Sequence, residues 1–143
     1  MTDKRMKRFF MTKDDAVDLI LHAAELSQGG ETFVLKMPII QLIDLFEAMK
    51  IVLAPKFGLK PSQIKTKIIG IRRGEKLTEN LLTNYELSNV LETKDFFIIP
   101  KYFDLSKKYN YGGVSIPKNP QNFFKDIKPL SQNQIVKILK KIY

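Results

Sequence analysis

Lys67-Ile68-Ile69-Gly70-Ile71-Arg72-Arg73-Gly74-Glu75 passes from an apolar, β-branched run into a charged turn. Isoleucine fits a half-buried pleated surface, so Ile64 to Ile71 is predicted to be a strand. Gly74 permits a positive φ or a close backbone approach at its end. Lys76-Leu77-Thr78-Glu79-Asn80-Leu81-Leu82 then has helical spacing. Arg72 and Arg73 therefore fall where a strand opens into a loop, with Glu75 just beyond. Ligands of open α/β sheets bind outside the carboxyl ends of strands. The planar guanidinium fork suits phosphate there, through paired charge-assisted bonds. The turn reads either as an anion clamp for a nucleotide diphosphate or as an Arg–Glu surface pair. Spacing alone favours the surface pair.

Before this turn, Thr12 and the acids Asp14 and Asp15 mark a helix start, and Gln28-Gly29-Gly30 marks its end. Ala16, Val17, Leu19, Ile20, Ala23 and Ala24 recur at helical spacing between them, and His22 is expected to be a partly exposed structural residue. Glu31 to Leu35 is a short strand, and Ile39 to Leu53 a second amphipathic helix. Pro55, Gly58 and Pro61 punctuate a loop. The order helix, strand, helix, strand leaves room for a parallel crossover. Two strands do not make a stable domain, so they need a larger sheet or cover from the rest of the chain.

Beyond the turn, Tyr85 to Leu91 is ambiguous, Thr93-Lys94-Asp95 is a turn, and Phe96 to Ile99 is a strand ending at Pro100. Residues 101–130 are loop-rich, with Tyr102, Phe103, Tyr109, Tyr111, Gly112, Gly113, Pro117, Pro120 and Pro129. Ser131 caps a last helix whose apolar face is Ile135, Val136, Ile138, Leu139 and Ile142. The organisation is a single lobe over 1–143: a leading segment 1–12, an α/β core 13–100, the loop-rich 101–130 and a terminal helix 131–143.

The 143 residues suit one domain, and 44% hydrophobic content belongs to a globular chain. Without cysteine and with one histidine, disulfides, thiolate metal sites and a Ser-His-Asp triad are excluded or improbable. No apolar run approaches the ~20 residues of a membrane helix. The chain is read as cytoplasmic, with no membrane partner and no metal. Net charge is +9, and from Lys94 onward 10 Lys face 3 acids. These lysines are interspersed, so a solvated surface is favoured over a nucleic-acid or anionic-membrane surface. No Gly-x-Gly-x-x-Gly fingerprint, no phosphate-cradling Gly-x-x-x-x-Gly-Lys-Ser/Thr loop and no Tyr-x-x-x-Lys pair occurs.

Gly70-Ile-Arg-Arg-Gly-Glu-Lys-Leu-Thr-Glu79 resembles the Gly-Ile-Arg-Pro-Gly-Glu-Lys-Leu-His-Glu signature of CapD-like polysaccharide biosynthesis proteins. These are UDP-N-acetylglucosamine 4,6-dehydratases and 4-epimerases of the extended short-chain dehydrogenase/reductase superfamily. Thr2 to Thr12, Asp15-Ala16-Val17-Asp18-Leu19, Gly29 to Pro38 and the Leu130-Ser131 helix are similar to further segments in the same order. The resemblance covers essentially the whole chain but only the C-terminal half of the family.

It implies an α/β fold: a partial substrate-binding lobe of short parallel strands with amphipathic helices. The implied substrate is a UDP-sugar, bound by Arg72, Glu75, Arg8 and Arg73. Arg72 matches the family's diphosphate-contacting arginine, Glu75 the glutamate of the same turn, and Arg8 an arginine ahead of the first helix. Arg73 stands for proline, removing a fixed φ and adding a charge, and Thr78 stands for histidine. The family's NAD(P) and its Tyr-x-x-x-Lys belong to a Rossmann domain without counterpart here. No cofactor is expected in this chain, and the possible partners are a separate Rossmann-domain chain or a second copy. The family chemistry is hydride abstraction at the sugar C4, loss of water and hydride return, so the chain alone is expected to be inactive. A non-catalytic interaction module docking through a sheet edge is the alternative, and a basic nucleic-acid-binding domain ranks last.

Overall fold

The computed structural model describes residues 1–103, 106, 108–117 and 127–143. Pro120 and part of the loop-rich region lie outside the described residues. The backbone gathers into two compact units. The first comprises Met1–Phe10, Pro38–Glu79 and Lys128–Tyr143, and the second Met11–Met37 and Asn80–Ile127.

In the first unit, β1 (Lys7–Phe9) pairs antiparallel with β3 (Ile39–Gln41), placing Arg8 opposite Ile40. Helix α2 (Leu42–Leu53) follows β3 directly. The last helix, α4 (Gln132–Ile142), packs Ile135 and Leu139 on Ala48 and Val52 of α2, in a cluster that Ile40 of β3 joins. Ala48, fully buried, is small enough to let the two helices approach closely. Leu130 extends the pair by donating its N–H to the Ile39 carbonyl at 2.7 Å.

Ser131 starts α4 with a reciprocal cap: the Gln134 N–H donates to Ser131 Oγ, and Gln134 Oε1 accepts from the Ser131 N–H at 2.9 Å. Ser131→Ala should cost about 1 kcal/mol in urea unfolding, and Ser131→Asn much less. Equal losses for both variants would mean that the hydroxyl is not acting as a cap.

In the second unit, β2 (Thr32–Leu35), β5 (Phe96–Ile99) and β4 (Leu91–Glu92) form a sheet in the order β2-β5-β4. Alternation along the central strand explains its sequence. Phe96 and Ile98 face helix α1 (Lys13–Leu26) with its Leu19, Ala23 and Leu26, while Phe97 faces Leu82, Leu87 and Val90. A strand covered on both sides reads as an uninterrupted apolar run. Thr93 closes the β4–β5 hairpin, donating its N–H to the Phe96 carbonyl at 2.9 Å. Helix α3 (Asn84–Leu87) precedes β4. Thr12 caps α1 with Asp15 as expected, and His22 packs edge-on against Phe96 beside Asp95.

The class is mixed α/β, as expected, but the strand direction is corrected: among the described residues every strand pair is antiparallel. Ile64 to Ile71 is not a strand either. Gly70 has φ +87°, which breaks an extended run, and no ladder forms there. Ile69 instead donates its N–H to the Met1 carbonyl, and the Met1 ammonium donates to the Lys67 carbonyl, both at 3.0 Å. Ile68, Ile69 and Ile71 remain exposed. Lys76 to Leu82 forms no helix; Thr78 makes an isolated parallel bridge with Lys7. Ile39 to Gln41 pairs as a strand rather than opening the helix, because β-branched Ile39 and Ile40 fill a buried ladder position.

Candidate functional site

The candidate site lies in the first unit, where the 72–79 segment runs beside β1. Arg72 to Glu75 forms a tight turn in which the Glu75 N–H donates to the Arg72 carbonyl at 3.1 Å. Gly74 has φ +80°, which a type II turn requires at its third position. Arg73 occupies the second position, where such turns favour proline. The turn therefore closes with arginine in that place.

Glu75 folds back over the turn. Its Oε2 accepts the Arg72 N–H at 3.0 Å, and its Oε1 accepts from the Thr2 hydroxyl at 3.0 Å. The Arg72 N–H holds the Glu75 carboxyl below its ordinary value of 4.5. Partial desolvation opposes this, and the Thr2 hydroxyl and the positive charges of Arg72 and then Arg8 add to it. The folded value lies below the unfolded one. Glu75 therefore contributes stability that is complete above about 4.5 and lost as pH falls through the depressed value. In a carboxyl NMR titration, Thr2→Val should move the Glu75 midpoint upward. An unmoved midpoint would show that the hydroxyl bond is not formed in solution.

Arg8 projects from β1 onto the same segment. Its guanidinium donates to the carbonyls of Lys7 at 2.7 Å, Lys76 at 2.9 Å and Leu77 at 3.3 Å. Glu79 stands 4.0 Å away. The Lys7 N–H also donates to the Leu77 carbonyl at 2.8 Å. Arg8 thus fixes the arginine turn to β1 as well as presenting charge. The Arg72 and Arg73 side chains are exposed, and neither forms an ion pair with a described residue. Arg72 and Glu75 are joined through the backbone, not as a guanidinium–carboxylate pair. Arg5 forms a surface pair with Asp3 at 2.8 Å.

The four residues singled out from sequence thus lie along one turn and the strand beside it. Arg8 reaches the segment through the Lys76 and Leu77 carbonyls, and Arg72 meets Glu75 through backbone groups. Sequence reading missed Thr2 and the carbonyls of Lys76 and Leu77. Thr2 lies 73 positions from Glu75, and no local spacing announces that contact. Chemically, the arrangement is a small turn in which a backbone N–H and a hydroxyl hold the Glu75 carboxylate, with the Arg72 and Arg73 guanidinium groups left exposed beside it.

The family of polysaccharide biosynthesis proteins matches residues 1–101, which takes in β1, the arginine turn and β5. The chain belongs to that family. Among its relatives, an uncharacterized membrane protein of Methanocaldococcus jannaschii is 42% identical over 99% of this chain and 40% of its own length. The UDP-N-acetylglucosamine 4,6-dehydratase (inverting) of Campylobacter jejuni is 35% identical over 69% of this chain and 26% of its own. A UDP-glucose 4-epimerase of Rickettsia bellii is 33% identical over 70% and 27%. The solved structure of Pen from Bacillus thuringiensis superposes with a TM-score of 0.73 and 35% identity, over 99% of this chain and 40% of that one. This polysaccharide biosynthesis chain therefore spans two-fifths or less of the length of these relatives. Among the described residues, no helix is long and apolar enough to cross a membrane.

Proposed function

We propose that this chain is the UDP-sugar-binding portion of a nucleotide-sugar dehydratase or epimerase of the UDP-N-acetylglucosamine type. The observation that carries the reading is that Arg8, bonded to the Lys76 and Leu77 carbonyls, holds the exposed Arg72–Glu75 turn against β1, inside the family-matched residues 1–101. Arg72 and Arg73 supply exposed charge for the diphosphate, and Arg8 holds their turn in place. A diphosphate oxygen would displace or join the Glu75 carboxylate among those donors.

Among the described residues, the β1–α1 and β3–α2 connections do not suit NAD(P). β3 enters α2 without an intervening loop, and β1 reaches α1 through Phe10-Met11-Thr12 without a glycine. Neither turn can cradle a pyrophosphate as a dinucleotide fold does. The reacting groups are therefore assigned to a partner chain or to further sequence of a longer protein. Isothermal titration should detect UDP and UDP-N-acetylglucosamine, with UMP weaker because it lacks the second phosphate. The chain mixed with UDP-N-acetylglucosamine and NAD(P) should give no product. Absence of UDP binding, or turnover by the chain alone, would overturn the respective half of this proposal.

A second reading, an interaction module, draws on a separate observation in the second unit. Val17, Ile20, Leu21 and Ala24 of α1 form an exposed apolar stripe at i, i+3, i+4 and i+7. β2 is an edge of its sheet among the described residues. Both features suit docking of a partner chain. Light scattering distinguishes the outcomes: a monodisperse monomer argues against the module, and a dimer or a co-purified partner supports it.

A further inference from the structure

The first unit carries an apolar and basic surface that the sugar-nucleotide reading does not use. Between Glu47 and Arg72 the chain has five lysines and no acidic residue, and Lys50 among them pairs with Glu47 at 2.7 Å. A short 3₁₀ turn, Ala54–Phe57, follows α2, is closed by Gly58 at φ +69° and leads into Leu59-Lys60. Phe57 is 77% exposed at its tip, and Leu59 and Ile64 are exposed beside it. These three residues, with Phe46, Met49 and Leu53, line an open cleft of about 400 Å³. Lys65 and Lys67 stand on its rim. Among the described residues, Lys60, Lys65 and Lys67 have no carboxylate partner. Lys56 is tied instead to the Tyr143 carbonyl oxygen.

An aromatic tip between lysines, over an apolar cleft and with Lys60, Lys65 and Lys67 lacking a carboxylate partner among the described residues, has a definite complement. Protein–protein interfaces are depleted in lysine, whose desolvation is costly. A lipid headgroup region removes that cost, because lysine stems lie along apolar surface while their ammonium groups reach anionic phosphates. Phenylalanine and leucine on a surface rich in lysine bury their apolar side chains at the headgroup–acyl boundary. We propose that the Lys56–Lys60 turn and the adjoining cleft form a peripheral docking surface for an anionic lipid bilayer, with Phe57 and Leu59 entering the interface and Lys60, Lys65 and Lys67 binding headgroup phosphates. No helix crosses the membrane in this arrangement; the chain lies on its surface. This docking is independent of whether Arg72 binds a nucleotide.

The test is co-sedimentation of the full chain with two kinds of vesicle. One is phosphatidylcholine alone, and the other contains phosphatidylglycerol as about a third of the lipid. Pelleting is expected with the anionic vesicles only, and should weaken as salt is raised. Phe57→Ser together with Leu59→Ser should abolish it. Each of Lys60→Gln, Lys65→Gln and Lys67→Gln should weaken partitioning about five-fold. These side chains are exposed, and circular dichroism confirms that each variant is folded. Failure to pellet with anionic vesicles overturns the proposal. So does pelleting that the Phe57/Leu59 variant leaves unchanged. A dimer in lipid-free solution that this variant dissociates, without vesicle binding, assigns the cleft to a second copy and equally overturns it.

Discussion

Arg72→Ala is expected to weaken UDP binding about ten- to a hundred-fold while leaving the unfolding midpoint in place. The loss follows from removing hydrogen bonds to a charged group, worth about 1.5–3 kcal/mol. The fold is spared because the Arg72 side chain is exposed, and the turn is closed by backbone groups and Glu75. Arg72→Lys should fall between, keeping the charge but losing the paired donors. Arg8→Ala should behave differently. It removes the donors that hold the Lys76 and Leu77 carbonyls, so binding and stability should fall together, the latter by about 1–3 kcal/mol. Calorimetric titration and urea unfolding of the three variants separate the two roles. If UDP binds Arg72→Ala as it binds the parent chain, the turn is a surface feature and the diphosphate reading is lost.

Phe97→Ala is expected to destabilise the second unit by about 3–5 kcal/mol. Phe97 is fully buried in the central strand, packed against Leu82, Leu87 and Val90, and its truncation leaves a cavity the sheet cannot close. Typical domains have only about 5–15 kcal/mol in total, so the variant should unfold at much lower urea. Phe97→Leu should cost clearly less, because most of the volume is kept. Phe57→Ala, at an exposed position, should change stability by no more than about 0.5 kcal/mol. A Phe97→Ala variant as stable as the parent would show that β5 is not the centre of a packed sheet.

What was legible in the sequence was local. α1 and α4 could be read because Thr12 and Ser131 announce their starts and apolar residues recur at helical spacing behind them. Phe96 to Ile99 was legible because an apolar run of that length beside a turn suits a strand covered on both faces. Strand direction was not legible. It is set by which segment comes to lie beside β5, and the partner β2 is separated from it by more than sixty positions. The isoleucine run misled for a related reason: β-propensity needs a pairing edge, and Gly70 turns the backbone away from one. At the candidate site, the turn itself was readable from Gly74 and Glu75. The tethering of Arg8 to carbonyls nearly seventy positions away was not, because main-chain acceptors leave no signature in residue type.

Helix, turn and site each tolerate single errors during folding, but β5 is less forgiving. Phe96-Phe97-Ile98-Ile99 carries no charge, and until β2 pairs with it and α1 packs over it the strand is uncovered. Such a segment associates readily with copies of itself. Lys94 and Asp95 precede it and Pro100 and Lys101 follow, placing charge and a missing amide donor on its flanks. These residues act as gatekeepers against intermolecular β-association. Substituting Pro100 would therefore be felt first in the yield of soluble protein at high expression, before any change in what the finished molecule binds.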